Sequence, residues 1–308
     1  MATPPLISLI VPVYNRADRI AQTLDSLLAQ THQNYEIILV DDGSTDQSAE
    51  VITAFLSSRV FYFKQANAGA PAARNFGFEK STGEMIVFFD SDDLMLPSRL
   101  EEQQKAMIRE NAAACAAGFY INLIGGDTYL PPAQGRESIM ELFINRKLLG
   151  STQSWMFSRE MVSAVKGFDT NLSCRQDIDI AFRILQLNPK VALVPKPLSL
   201  FIDHEGPERI MNNWNSPKHL ESKSRYHRKV LRYLAMQKRA DLMIKALDYY
   251  YWDVLPSYMK LNKYGKVAGY YGAAIEASKD LDLGSRLKVL ASAAKSLTHW
   301  AAHGIKHK

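Results

Sequence analysis

Two acidic turns carry the residue types most suited to chemistry. The sharper is Asp90-Ser91-Asp92, with Asp93 beside it, directly after the apolar run Met85-Ile86-Val87-Phe88-Phe89. Carboxylates crowded behind a buried strand raise one another's pKa unless something positive binds them. An all-oxygen set of this kind suits Mg²⁺ or Mn²⁺ shared with a ligand's phosphates. The same turn also reads as a helix N-cap, with Asp92 or Asp93 capping a helix that opens near Leu94 or Pro97. Asp41-Asp42-Gly43-Ser44-Thr45-Asp46 is the second turn. One of its carboxylates could accept from a nucleobase imide or a ribose hydroxyl, or the segment could be a turn with Asp46 starting a helix. The residues alone leave both pairs of readings open. No GxGxxG lies in this region and no GxxxxGK[ST] occurs anywhere, against a dinucleotide Rossmann site and a P-loop.

The elements that must hold these turns alternate. Leu6–Val13, Tyr35–Val40, Arg59–Lys64 and Met85–Phe89 read as apolar strands, and helical patterns lie between them. Ile20, Leu24, Leu27 and Leu28 share one helix face, Val51, Ile52 and Phe55 mark a second helix, and Pro71 suits the first turn of a third. Such alternation means a parallel sheet covered on both faces. Every polar cluster falls just after a strand: Tyr14-Asn15, Asp41 to Ser44, Asn67-Ala68-Gly69 and Asp90 to Asp93. Carboxyl ends of parallel strands line the ligand crevice of open sheets, so four loops point to one site. Further on, a helix is expected over 100–108, a strand over 115–124 and a helix over 138–145. Mixed or helical segments follow over 156–165 and 177–187, then two closing strands over 191–194 and 198–202. Residues 215–308 read as wholly helical.

Pro12-Val13-Tyr14-Asn15, Val40 to Asp46, Asn67-Ala68-Gly69 with Ala73-Arg74-Asn75-Phe76-Gly77, and Asp90 to Asp93 resemble, in order and spacing, family 2 glycosyltransferases of the GT-A fold. The resemblance implies an α/β, Rossmann-like fold with a mostly parallel central sheet and a C-terminal helical region. It implies inverting transfer from a nucleoside-diphosphate-sugar, most simply a UDP-sugar, to a saccharide or lipid-linked saccharide in cell-surface polysaccharide or glycoconjugate synthesis. It further implies a divalent cofactor, Mn²⁺ or Mg²⁺. Carried over by position, Pro12, Val13 and Tyr14 lie against the base, Asp42 bonds the uracil and Asp41 supports it. Asn67 and Gly69 sit in the loop leading to Arg74, which lies near the base or phosphates. Asp90 faces the ribose with Ser91 beside it, Asp92 takes the metal, and Asp93 goes to a metal water or the donor sugar. Tyr14 could equally be a core edge, and Asn75 a helix-packing residue.

In the second half, Gly167-Phe168-Asp169 and Arg175-Gln176-Asp177-Ile178-Asp179 resemble the family's base-bearing element. Asp177 aligns as the catalytic base, which deprotonates the acceptor hydroxyl. Gln176 stands where a Glu is usual, keeping hydrogen bonding but removing a charge. Both aspartates could instead simply open a helix. His204 matches a histidine found near the metal or diphosphate, and Trp155 reads as an acceptor-site wall or plain core. Cys115 and Cys174 give neither a disulfide framework nor zinc spacing.

The net charge of +5 hides a split, with residues 1–204 at −5 and residues 205–308 at +10. Domains are therefore expected over 1–210 and 211–308. Leu283, Leu287, Leu290, Ala294, Leu297 and Ala301 form one apolar helix face flanked by Arg286, Lys288 and Lys295. That face either docks on the protein or lies on anionic lipid as a peripheral contact. Nucleic acid is not expected as a partner, since no recognition motif accompanies the basic charge. With 47% hydrophobic and 22% charged residues, no membrane-spanning run and no signal-peptide pattern, the expected place is the cytoplasm, including its membrane face. Two other functions fit an acidic site on a parallel sheet: a non-catalytic sugar-nucleotide-binding protein and a nucleotidyltransferase.

Overall fold

The computed structural model describes residues 4–121, 128–131, 137–202, 215–261 and 263–304. Contacts divide the chain into two compact units. One comprises Met1–Thr170 and Gln176–Glu208, the other Asn171–Arg175 and Arg209–Lys308.

The first unit is built on β1 (Ile7–Val13), β2 (Tyr35–Asp41), β3 (Val60–Lys64), β4 (Met85–Phe88), β5 (Leu94–Met95), β6 (Ala114–Ile121), β7 (Thr128–Tyr129), β8 (Trp155–Ser158) and β9 (Val191–Phe201). Its helices are α1 (Ile20–Leu28), α2 (Ser48–Thr53), α3 (Ala70–Lys80), α4 (Arg99–Glu110), α5 (Ile139–Ile144), α6 (Arg159–Ala164) and α7 (Gln176–Leu185). All strands join one sheet in the order β3-β2-β1-β4-β8-β6-β9-β5, with β7 beside β6. β1, β2, β3 and β4 pair in parallel, as the alternation requires. β8 then joins antiparallel to both β4 and β6, while β6 and β9 run parallel. β1 and β2 are buried along their whole length, which explains their unbroken Val, Ile and Leu runs.

Helix α3 lies directly on this sheet because Gly77 lets it. A Cβ at Gly77 would stand 2.5 Å from Ile10 Cγ2 and 3.2 Å from Val40 Cγ2. Helix α1 buries Ile20, Leu24 and Leu27 but leaves Leu28 at the exposed limit of its face.

Three local expectations change. Residues 156–165 resolve into a strand followed by a short helix, β8 and α6, with Ser158 capping the helix by accepting from the Met161 N–H. The two closing strands are one, β9. Pro195 and Pro197 suggest a break, but the ladder to β6 steps from Val194↔Ala117 to Pro197↔Gly118, and this irregularity absorbs the missing proline donors. The short strand β5, which pairs antiparallel with β9, has no counterpart in the sequence pattern.

The second unit is helical among its described residues: α8 (Pro217–Met236), α9 (Ala240–Asp253), α10 (Leu255–Lys260), α11 (Tyr264–Ala277), a 3₁₀ turn over Ser278–Asp280, and α12 (Leu283–Gly304). Its interior holds Tyr250 stacked on Tyr270 with ring centroids 3.3 Å apart. Beside them the half-buried Asp253 carboxylate meets Arg175 at 2.5 Å and Lys223 at 3.2 Å. Burial alone would raise the Asp253 pKa. The His227 hydrogen bond and the charges of Arg175 and Lys223 outweigh it and hold the carboxyl far below its usual range. Helix α12 buries Val289 and Ala293, whereas Leu283 is 73% exposed and Leu287 is also exposed. The first two leucines of the stripe are therefore not on the face this helix buries. No helix among the described residues is long and apolar enough to cross a membrane.

Candidate active site

In the strand order the chain passes from β1 out to β3 and returns on the other side at β4. The point of reversal lies between β1 and β4, where open α/β sheets bind ligands at the strands' carboxyl ends. The loops after β1, β2, β3 and β4 meet at this edge and are tied together by their side chains. Asp41 accepts from the Ser44 N–H and the Tyr62 hydroxyl, both at 2.7 Å. Burial would raise its pKa, but these bonds and Lys64 hold it below the usual value. Asp42 accepts from Gln65 Nε2 at 2.7 Å, from the Ala68 N–H at 2.8 Å and from the Gly69 N–H at 2.7 Å. A carboxylate offers about four lone-pair sites, so these three donors occupy most of them. Gly43, at φ 77°, lets this turn approach the next loop, since a Cβ there would lie 2.9 Å from the Asn67 nitrogen.

Of the residues expected at the base, Pro12 and Val13 end the buried β1, and Val13 C=O accepts the Asp42 N–H at 2.8 Å. Tyr14 is half-buried, Asn67 is exposed, and Gly69 begins α3 as its N-cap at φ 89°. Asp46 accepts from the Ser48 N–H at 3.0 Å, as a residue opening a helix would.

The Asp90 turn is not a helix cap. Helix α4 opens only at Arg99, with Ser98 at its N-cap, and Leu94-Met95 between them is strand. Asp90 instead binds Arg74 Nη2 at 2.7 Å through one oxygen, and Thr152 Oγ1 and Gln153 Nε2 at 3.0 and 3.1 Å through the other. Asp92 pairs with Arg16 Nη2 at 3.2 Å, and Ser91 is buried between them. Asp93, 1% exposed, accepts from the Ile202 N–H at 2.9 Å and from Gln153. Burial pushes the Asp93 carboxyl well above the usual carboxylate range, with the charges of Asp90 and Asp92 adding to it. Among the described residues no three His, Cys, Asp or Glu side chains form a ready metal cluster.

Arg74 connects this turn to the second half of the chain. Its Nη1 donates to Gln176 Oε1 at 2.8 Å while Nη2 holds Asp90, and its guanidinium lies 5.2 Å from the centre of the Phe168 ring. Gln176 opens α7, and Asp177 follows it. Asp177, half-buried, lines a small open pocket with Phe88, Thr152, Trp155, Phe168 and Ile180. Asp179 plays a different part. Fully buried, it binds Arg183 Nε at 2.7 Å, and Arg183 in turn donates to the Val165 and Gly167 carbonyls. Trp155 is buried, with its indole N–H on Leu149 C=O at 2.7 Å. His204 lies outside the described residues.

Sequence reasoning missed several residues here. Thr152 and Gln153 lie about sixty positions from the turn they bind. Asn75 clamps Phe168 by both amide ends, accepting its N–H at 2.7 Å and donating to its C=O at 3.0 Å. Arg99, wholly buried, donates to Ser199 Oγ and to the Thr152 and Trp155 carbonyls, fixing the segment that carries Gln153. Burial lowers its guanidinium to about 9. Asn75 already stood in the Ala73-Arg74-Asn75-Phe76-Gly77 stretch with a helix-packing reading, and Arg16 directly follows the Tyr14-Asn15 turn; Thr152, Gln153 and Arg99 had no signal.

Comparison with known proteins agrees with this arrangement. Residues 8–165, about half of the chain, match the profile of "Glycosyl transferase family 2". An uncharacterized glycosyltransferase of Haemophilus influenzae is 40% identical over 158 residues, 46% of this chain and 63% of that protein. The chain spans less than two thirds of the curated relatives it first matches, between 15% and 63% of their lengths. Its fold is similar to that of S. aureus TarS 1-349 in complex with UDP-GlcNAc, with TM-score 0.69 at 16% identity, covering 96% of this chain and 89% of that one. It is also similar to mannosyltransferase PcManGT from Pyrobaculum calidifontis in complex with GDP-Man and Mn²⁺, with TM-score 0.55 at 18% identity, covering 96% and 88%. With the match beginning in β1, running through all four strand-end loops and reaching α6, the chain belongs to glycosyl transferase family 2.

Proposed function

We propose that the protein is an inverting glycosyltransferase, moving a sugar from a nucleoside-diphosphate-sugar, most simply a UDP-sugar, to a saccharide or lipid-linked saccharide hydroxyl in cell-surface glycan synthesis. One observation carries this reading: a single guanidinium, Arg74, joins Asp90 at the sheet's switch point to Gln176, the neighbour of Asp177. A donor diphosphate at the switch point and a base at the acceptor pocket would thus share one frame. Thr152 makes a second link, lining the Asp177 pocket while bonding Asp90.

In this account the base and ribose lie along Pro12, Val13, Tyr14 and Asp42, with Asp41, Asn67 and Gly69 shaping that wall and Asp90 and Ser91 at the ribose. Arg74 offsets charge that develops on the leaving diphosphate, an electrostatic role of the kind that dominates many active sites. Asp177 takes the proton of the acceptor hydroxyl as that oxygen attacks the anomeric carbon from the face opposite the diphosphate. Gln176 orients Arg74 without adding a second negative charge beside the base. Trp155 lends the acceptor pocket an apolar wall.

The turn also suits a hard divalent cation. Its donors are oxygens, and three carboxylates, Asp90, Asp92 and Asp93, crowd four residues against two guanidiniums, Arg74 on Asp90 and Arg16 on Asp92. Mg²⁺ or Mn²⁺ would be held by Asp92, joined by His204 as the family resemblance implies, and would supply Lewis-acid neutralisation of the diphosphate. PcManGT, solved with GDP-Man and Mn²⁺, supports that expectation. Residues 1–210 would carry the chemistry and 211–308 a peripheral contact with anionic lipid on the cytoplasmic face, supported by the +10 charge and the exposed Leu283 and Leu287. The test is a panel of nucleoside diphosphates and their sugars with Mn²⁺, read as thermal stabilisation, since a ligand of the folded state raises the melting temperature. A uridine or other nucleoside diphosphate should shift the melt; no shift from any of them contradicts the proposal.

A further inference from the structure

Both outer carboxylates of the Asp90-Ser91-Asp92 turn carry an arginine, Arg74 on Asp90 and Arg16 on Asp92. The two guanidiniums share a second feature. The Nε of each is buried and has no acceptor among the described residues. Each therefore keeps a donor for a group outside the protein, and an oxygen-rich anion would suit both.

Arg16 is held in place by two loops. Its Nη1 donates to the Tyr14 and Asn15 carbonyls at 3.2 and 3.0 Å, and its own N–H donates to Ser48 Oγ at 2.7 Å. Asn15 turns the chain at φ 50°, with its N–H on Ser44 Oγ at 3.1 Å and its side-chain oxygen accepting the Thr45 N–H at 2.9 Å. The loops after β1 and β2 are thus stapled so as to present one cation to Asp92. The pair is nearly enclosed, at 14% and 18% side-chain exposure, where salt screens little. At that range a guanidinium and a divalent cation on the same carboxylate repel each other.

We propose that Arg16 is a resident counter-cation of the metal turn, neutralising Asp92 while the donor is absent and passing to the donor's diphosphate when a divalent cation takes the carboxylate. This inference rests on the function proposed above. It makes metal and nucleotide cooperative. Metal alone must displace Arg16 with no new acceptor to receive it, whereas the diphosphate supplies that acceptor, and the coupling is reciprocal by linkage.

The experiment measures Mn²⁺ binding to the full chain by electron paramagnetic resonance of the free ion, with and without UDP. Wild type should bind Mn²⁺ weakly alone and more tightly with UDP. Arg16→Gln should bind Mn²⁺ alone about tenfold more tightly, inside the roughly 5–150-fold span of ordinary coupling, and should gain less from UDP than wild type does. Arg16→Lys, which keeps the charge but not the fork that spans two carbonyls and Asp92, should fall between them and serves if the glutamine variant does not fold. Unchanged Mn²⁺ affinity and unchanged UDP coupling in a folded Arg16 variant overturn the inference while leaving the proposed function intact. A wild type indifferent to both Mn²⁺ and UDP overturns the two together.

Discussion

Replacing Arg74 by alanine removes a side chain that hydrogen-bonds both the Asp90 turn and the start of α7. The stability cost can be built from its contacts. A hydrogen bond to a charged group contributes about 1.5–3 kcal/mol. The lower end applies here, because the Asp90 side chain is 31% exposed and keeps Thr152 and Gln153 as donors. Leaving the buried Gln176 oxygen without its 2.8 Å donor costs about 1 kcal/mol, and the Phe168 ring contact adds roughly 0.5 kcal/mol. Recovered hydration of the guanidinium offsets part of this, leaving about 2–3 kcal/mol. For a unit of this size that lowers Tm by roughly 4–10 °C. The effect on rate should be larger: losing one preorganised donor to developing charge costs on the order of 10²–10³ in kcat. Arg74→Lys keeps the charge but reaches one partner, so it should recover about half the Tm loss and only part of the rate. Differential scanning fluorimetry with donor-saturated turnover reads both quantities. An Arg74→Ala protein with lowered Tm but wild-type kcat would make Arg74 scaffold only and refute the reasoning.

Two further outcomes follow from packing and charge. Gly77→Ala should destabilise by about 1–3 kcal/mol, because its Cβ meets Ile10 at 2.5 Å and α3 must lift off the sheet; urea melts measure it. Asp253→Asn should cost about 3–5 kcal/mol at neutral pH by leaving the buried Lys223, and Arg175 beside it, without their carboxylate. Since the folded Asp253 pKa lies below its unfolded value of about 3.9, its stabilisation is present above that pH and fades as pH falls toward the folded value. The wild-type advantage over Asp253→Asn in urea should therefore shrink between about pH 5 and pH 3; an advantage independent of pH would contradict the charge assignment.

What could be read in advance was what is local in sequence. The acidic turns after β2 and β4, the Pro71 start of α3 and the Arg74–Gly77 spacing lie within a few residues of the strands that aim them, so periodicity and turn chemistry reveal them. The support of the site is not local. Gln153 meets Asp90 and Asp93, Asn75 grips Phe168, and Arg99 reaches Ser199, each across sixty or more positions that no periodic pattern links. Excluding a helix cap at Asp92 needed β5, a two-residue strand that exists only because β9 lies alongside it. The α12 stripe misleads for a related reason. Periodicity identifies an apolar face, but which face is buried is decided by the partner helix α9.

In the proposed reaction Asp177 draws the proton from an acceptor while the donor diphosphate departs at the Asp90 turn. The most direct measurement is the rate of sugar transfer at saturating donor and Mn²⁺ for wild type and for Asp177→Asn, with donor affinity measured alongside. The account predicts a loss on the order of 10²–10⁴ in kcat with donor binding and Tm nearly unchanged. Wild-type turnover by the asparagine variant would contradict it.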